Sequence, residues 1–379
     1  GVLGIVLALA QKDLKRLLAY SSVENIGIIM MGLGLGVLGL SYQSALLATL
    51  GFAGALLHIL NHAVFKGLLF MCAGSVLHAV KTLNIDSLGG LIKRMPSTGF
   101  CFFIGMLAIC GLPPFNGFAG EMLIYLAAFH GMAMPAAGGI AIGVVGALAL
   151  IGGLAAAGFT KAFGITFLGE LRSDLGSAAH EPGLSMRAPL YVLAAFCLLL
   201  GFLSPVIVMH LLHSPVGILC GEMDEANIQG MLATASHSLV WFTGCGAGLL
   251  SLVGTVAMLR RRLLSQREVT ESSTWGCGYA QPTVRMQYTA ASFVQPIVDF
   301  FYAVVRTQPK NCAEVDGLFP VQSREIHEAK SRTVPSFWLI FERVESFLLR
   351  LQRLQTGSIH LCILYIAITL IVLLIWKLK

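Results

Sequence analysis

Apolar residues run along this chain in long blocks separated by short polar or charged stretches, with no strand-like alternation. The blocks Leu17–Leu38, Phe52–Val80, Thr98–Gly131, Pro135–Leu168, Ala188–Leu212, Ala235–Leu259 and Ile359–Trp376 each reach the roughly 17–25 residues a helix needs to cross a bilayer. An apolar stub, Gly1–Ala10, precedes them and is too short to span. Starting inside an apolar run at Gly1, the chain reads as the C-terminal part of a longer protein. The expected fold is all-α, a polytopic transmembrane helix bundle with a broken helix, a cytoplasmic amphipathic helix and a final anchoring span.

Charge placement orients these spans. Lys12, Lys15 and Arg16, then Lys81, Lys93 and Arg94, then Lys161, Arg172 and Arg187, then Arg260, Arg261 and Arg262 fall at alternate junctions, whereas Glu222, Asp224 and Glu225 fall at another. Short loops rich in Lys and Arg stay on the cytoplasmic side. The alternation holds if Thr98–Gly131 counts as one crossing interrupted at Gly111-Leu112-Pro113-Pro114, because proline removes a helix donor and kinks or breaks the helix. Two short helices in a re-entrant hairpin are the alternative. Residues 1–262 then form the transmembrane domain and 263–336, where polar and apolar residues mix, a cytoplasmic extension. In 337–355, Phe337, Ile340, Phe341, Val344, Phe347, Leu348 and Leu351 recur at helical spacing opposite Glu342, Arg343, Glu345 and Arg350, which predicts an interfacial amphipathic helix. The last span is 359–376.

Composition agrees with a membrane protein: 56% of residues are hydrophobic and 12% charged, against about 45–50% and about 25% in soluble domains. The net charge of +6 is spread over helix ends and not gathered into a basic patch interleaved with aromatics, so no nucleic-acid partner is implied. The nine cysteines form no Cys-x-x-Cys pair or metal-site spacing, which leaves disulfide, iron–sulfur and structural zinc readings weak.

Ionisable side chains inside spans carry the candidate chemistry, since a charge at the bilayer centre costs about 2.5–3.5 kcal/mol on insertion scales. His58, His62 and Lys66 lie at i, i+4 and i+8 and therefore share a face. Glu121 follows the Pro113-Pro114 break by less than two turns, and Glu24 lies about two turns into its span. Imidazole titrates near neutrality, so a stacked His-His-Lys set with carboxylates nearby can pass protons. The alternatives are histidines that only bond neighbouring helices beside a statically paired lysine, and haem or metal ligation by His58 and His62. Lys15 and Lys161 read as interfacial lysines whose stems snorkel, with a relay role open for Lys15.

Four motifs in this order resemble the antiporter-like membrane subunits shared by respiratory complex I, Mrp cation/proton antiporters and membrane-bound hydrogenases: Asp13-Leu-Lys15-Arg16-Leu-Leu-Ala-Tyr20-Ser-Ser, His58-x3-His62-x3-Lys66, Gly89-Gly90-Leu91 and Pro113-Pro114-Phe115-x-Gly117-Phe118. They cover about the first third of the chain. The stretches Ala19-Tyr-Ser-Ser-Val-Glu24-Asn25-Ile-Gly27 and Thr274-Trp-Gly-Cys277-Gly-Tyr279 narrow the resemblance to the large antiporter-like subunits of hydrogenase 4 and formate hydrogenlyase complexes. Complex I relatives usually carry Ser-His or Ser-Gln where this chain has Glu24-Asn25.

The resemblance implies a non-redox, proton-translocating subunit of a nickel–iron hydrogenase assembly in the bacterial cytoplasmic membrane. Its proton pathway would run through Lys15, Glu24, His58, His62, Lys66 and Glu121, with Lys66 and Glu121 storing protons and the histidines relaying them. It implies no cofactor in this chain, with the iron–sulfur clusters and the nickel–iron site in partner subunits. Partners would be other membrane subunits, the peripheral hydrogenase arm, the lipid bilayer and protons, or sodium in their place. The rivals are an Mrp-type antiporter or complex I subunit, and a non-conducting membrane anchor for the hydrogenase.

Overall fold

The computed structural model describes residues 1–301 apart from 136, 174, 175, 177, 178, 222, 223 and 268–285. The described residues fall in one compact unit, 1–301, and are helical without strands beyond a single bridge, Asp13 to Asn84. The helices are α1 (Val2–Leu9), α2 (Leu14–Ser41), α3 (Ala45–Val80), α4 (Pro96–Ile109), α5 (Asn116–Met132), α6 (Gly138–Phe167), α7 (Leu184–Val206), α8 (His213–Cys220), α9 (Glu225–Leu264) and α10 (Ala290–Phe300). By length and composition α2, α3, α6, α9 and the stretch Leu184–Leu211 are each able to cross a membrane. The amphipathic segment 337–355, the span 359–376 and the Trp275–Tyr279 motif lie outside the described residues.

Small residues let the helices approach closely, as in bilayers where lipid supplies no hydrophobic drive for association. Along the α2–α3 seam a Cβ on Gly39 would meet the Ala48 nitrogen at 2.3 Å and one on Gly51 the Gly36 nitrogen at 2.5 Å. These close approaches make α2 and α3 an antiparallel pair in which residues near 25 and 21 of α2 face 58 and 66 of α3.

The same geometry decides how the chain crosses at the helix break. Gly131 near the end of α5 faces Leu47 near the start of α3, Gly54 meets Ile124, Gly120 meets His58, and Gly105 of α4 meets Leu69. One continuous antiparallel register therefore runs down α3 from α5 into α4, and α4–break–α5 is a single crossing. A re-entrant hairpin would put both halves against the same end of α3.

Non-helical backbone at membrane depth is tolerated only where protein or a water-lined cavity covers it. Here α7 and α9 cover it. A Cβ on Gly201 of α7 would lie 1.9 Å from the Pro114 carbonyl oxygen, and one on Gly246 of α9 would lie 2.9 Å from Pro113 and Pro114 backbone atoms. The break also carries a cis Pro113–Pro114 bond. Across it, Asn61 of α3 and Asn116 of α5 each donate a side-chain amide hydrogen to the other's main-chain carbonyl, at 2.7 and 3.2 Å.

The Ala188–Leu212 span is less regular than its composition predicts. After Pro205, which lacks the donor a helix needs, α7 passes into a π turn at Ile207–Leu211 before α8.

Three of the basic junctions, those after α1, α3 and α6, meet at one end. The Leu14 nitrogen donates to the Leu83 carbonyl and the Ile85 nitrogen to Lys12, Lys12 pairs with Asp86 at 3.3 Å, and Lys93 pairs with Glu170 at 2.7 Å. The Glu181 carboxylate caps α4 there, accepting from the Ser97 and Thr98 backbone nitrogens. Part of the extension docks at this end as well: α10, capped by Thr289 and by Asp86 at its first nitrogen, packs on α6 and α1. Its buried positions Ala290, Val294 and Val298 make one helical stripe.

Candidate functional site

Lys66 lies on the face of α3 that meets α2 and is 5% exposed. A buried ammonium needs several acceptors, and α2 supplies them: Nζ donates to the Leu18 carbonyl at 2.8 Å and to the Ser21 hydroxyl. Leu18 and Ser21 were not singled out by the sequence, because each is more than forty positions from Lys66 along the chain. The side-chain hydroxyls of Ser21 and Ser22 donate back to the same Leu18 carbonyl, which concentrates acceptors and donors on this turn of α2.

Glu24 follows Ser21 by one turn and is 1% exposed, with Oε2 lacking a hydrogen-bond partner. Its charged neighbours are Lys66 and Glu121. Lys66 is not within 4.0 Å of either carboxylate as an ion pair, in contrast to Lys12–Asp86 and Lys93–Glu170 at the bundle end. Lys66 and Glu121 are thus both charged neighbours of Glu24. A Cβ on Gly4 would meet Glu24 backbone at 2.4 Å, so α1 seals this part of α2.

His58 is fully buried, and its Nε2 lies 3.1 Å from Asn25 Oδ1. The amide orientation of Asn25 is set by its Nδ2, which donates to the Ser21 carbonyl at 2.8 Å. An oxygen facing the ring makes His58 Nε2 the protonated nitrogen in the neutral tautomer and leaves Nδ1 as the basic one. Nδ1 has no partner and faces α5, where a Cβ on Gly120 would come within 2.9 Å of it. The next residue of α5 is Glu121. Asn25 therefore aims the basic nitrogen toward the element that carries the carboxylate.

His62 is half-buried with Nε2 unpartnered, and it packs edge-on to Phe65 with centroids 5.6 Å apart. Its charged neighbour is Lys66, and His58's is His62. The three groups of the α3 stripe and Glu24 are thus charged neighbours in series, His58 to His62 to Lys66 to Glu24, and Glu121 is a further neighbour of Glu24.

Glu121 approaches the break itself. Gly111 has φ +62, a conformation favouring glycine, and a Cβ there would lie 2.8 Å from Glu121 Oε2. A side chain at position 111 would expel the carboxylate. Lys15, by contrast, is exposed at the start of α2, one turn before Leu18, and the structure does not bring it against the buried stripe.

Lys161 differs from its sequence expectation. It is 1% exposed and donates to the Leu9 carbonyl at 2.7 Å and the Gln11 carbonyl at 2.8 Å. The last carbonyls of a helix lack intrahelical donors, and the ammonium satisfies those at the end of α1. Nothing in the local sequence near Lys161 announces this, since the acceptors lie some 150 positions away.

Among the described residues no three His, Cys, Asp or Glu side chains gather to hold a metal ion, so His58 and His62 have no third ligand of that kind.

Comparison with known proteins now bears on this arrangement. Residues 1–149 match the transmembrane family described as NADH:quinone oxidoreductase/Mrp antiporter. The chain is 34% identical to Hydrogenase-4 component B of Escherichia coli K12 over 396 residues, covering 99% of this chain and 57% of that protein. It is 33% identical to Formate hydrogenlyase subunit 3 of the same organism over 308 residues, covering 80% of this chain and 48% of that protein. The chain thus spans about half the length of these curated relatives. A chain of the membrane-bound sulfane sulfur reductase, an archaeal respiratory membrane complex, shares the fold at TM-score 0.58 and 23% identity, over 98% of this chain and 53% of its own. The match to the NADH:quinone oxidoreductase/Mrp antiporter transmembrane family over residues 1–149 takes in the whole arrangement from Lys15 to Glu121.

Proposed function

We propose that this chain is a proton-translocating, non-redox membrane subunit of a nickel–iron hydrogenase or formate hydrogenlyase type complex in the bacterial cytoplasmic membrane. The observation that carries the reading is the buried Lys66 ammonium, held by the Leu18 carbonyl and Ser21 with Glu24 as its charged neighbour and His62 and His58 continuing its face. Such groups at membrane depth are costly and mark proton or ion routes by default. The similarity along nearly the whole chain to Hydrogenase-4 component B supports the hydrogenase assignment over others.

In this reading partner subunits carry the iron–sulfur clusters and the nickel–iron site, and this chain converts their reaction into proton movement. A proton reaching Lys66 passes to His62 and His58. His58 hands it on from Nδ1 toward α5 and Glu121, while its Nε2–H stays on Asn25. Glu24 tunes both ends because it senses Lys66 and Glu121 together. Lys15, exposed one turn before Leu18, is the inner-side group at the basic end of the bundle, without direct contact to the stripe.

Reconstituted vesicles carrying the complete complex test this. Substrate-driven proton movement falls in Lys66→Ala and Glu121→Gln while the hydrogenase reaction continues; unchanged movement in both rejects the relay, and no movement in the active unmodified complex favours an anchor. A second reading is cation/proton exchange, supported by the family match over residues 1–149, which spans Mrp antiporters. Nickel co-purifying with the complex separates the two, since an antiporter assembly has no use for it.

A further inference from the structure

The helical path from α4 into α5 is interrupted by the break, so the rotation of α5 about its own axis is not set by a continuous helix. Gly201 and Gly246 fix how deeply the turn sits, and the apolar contact of Ile124 with Gly54 is non-directional. A one-residue slip of α5 would move Glu121 by about 1.5 Å along the axis and about 100° around it, away from Gly111 and from α3. Directional bonds must therefore hold the register.

We infer that Asn61 and Asn116 are that register device, a positioning pair whose reciprocal amide-to-carbonyl bonds hold the first turn of α5 against α3 and so set how His58 and His62 stand to Glu121. The inference rests on the proton-relay reading above. Asn61 lies between the two histidines, one residue before His62, and Asn116 is the first residue of α5. Both are wholly buried. Each amide bonds the other's main chain, at 2.7 and 3.2 Å, so the pair reads backbone position, and a sideways or rotational shift of α5 breaks both bonds together. The consequence of this lock is visible one turn later, where Gly120 touches His58 and Glu121 packs on Gly111.

The pair is poorly explained as a stability device. It leaves Oδ1 of both asparagines buried without a partner, an unfavourable arrangement that an apolar pair of similar size would avoid. Neither residue touches the transferred proton directly by its bonds to the backbone; the pair acts through the placement of Glu121 and the histidines.

The test uses the complete complex in vesicles and reads protons moved per substrate turnover, a ratio that simple loss of folded complex leaves unchanged. Asn61→Ala and Asn116→Ala are each expected to lower the ratio at least about fivefold while turnover persists, because misplacement by about 1 Å is costly in proton transfer. The double variant is expected to fall at least as far as the worse single one, since each change removes one of the two bonds and leaves the other amide on its main-chain carbonyl. Asn116→Leu, which keeps similar volume but has no donor for the Asn61 carbonyl, serves if an alanine variant fails to assemble, and the same fall is expected. An unchanged ratio in Asn116→Leu or in both alanine variants overturns the inference. Lys66→Ala run in parallel separates the two levels: if its ratio also stays normal the relay reading itself fails, and if it alone falls only the positioning role is refuted.

Discussion

The Lys66 ammonium on α3 donates to the Leu18 main-chain carbonyl on α2 across 2.8 Å, at a turn where Ser21 also accepts from it. A cation so placed is carried by α3 and held by acceptors of α2 within the protein interior. Lys66→Met keeps the stem's packing and removes the charge, so the complex is expected to assemble while proton movement per turnover falls at least about tenfold, the lower end of what a positioned proton-transfer group contributes. Dye-monitored acidification of vesicles against hydrogen evolution checks this, and equal ratios would contradict it.

Asn25 gives a second test. Replacing it by leucine deprives His58 Nε2 of its acceptor within a buried site and frees the ring to turn. A stability loss of about 1–3 kcal/mol is expected, as for other buried donors left without a partner. Thermal unfolding of the detergent-solubilised complex measures it. Asn25→Asp, which retains an acceptor toward Nε2, is expected to recover most of the stability.

The spans, the break and the shared side of the basic junctions follow from the sequence because each depends on local features: apolar length, proline and the position of Lys and Arg. So does the stripe, since i, i+4 and i+8 spacing on a helix puts His58, His62 and Lys66 on one face wherever α3 packs. What the sequence withholds is the identity of partners. Asn25, Ser21 and Leu18 are recognisable only once α2 is known to lie antiparallel to α3, and the glycines that impose that pairing look like ordinary membrane glycines. Lys161 reads from the sequence, like Lys15, as a snorkelling interfacial lysine or a relay group, yet the carbonyls at the end of α1 hold it inside. The α10 helix escaped notice because three buried small or β-branched residues among polar neighbours are a short and weak pattern.

At the break, Gly201→Ala is expected to destabilise the complex by about 1–3 kcal/mol, the usual cost of overpacking a filled interior. The added Cβ would stand 1.9 Å from the Pro114 carbonyl oxygen, backbone that α9 blocks from the other side through Gly246. Gly152→Ala, with open space around its Cβ position, is expected to be neutral. Comparing the two melting temperatures checks the covering role assigned to α7.

Lys161 separates structure from transport. In Lys161→Met the Leu9 and Gln11 carbonyls lose their donor, and faster proteolysis near residues 10–13 is expected with a stability loss of about 1–3 kcal/mol. The protons moved per turnover by the surviving complex should stay unchanged. A lower ratio would make Lys161 part of the route.

The most direct test of the central claim compares the unmodified complex with Glu121→Gln in sealed vesicles, reading proton movement and substrate turnover together. Glutamine fits the space against Gly111 and cannot accept a proton, so turnover is expected to continue while proton movement collapses. Proton movement that keeps pace with turnover in Glu121→Gln would contradict the account.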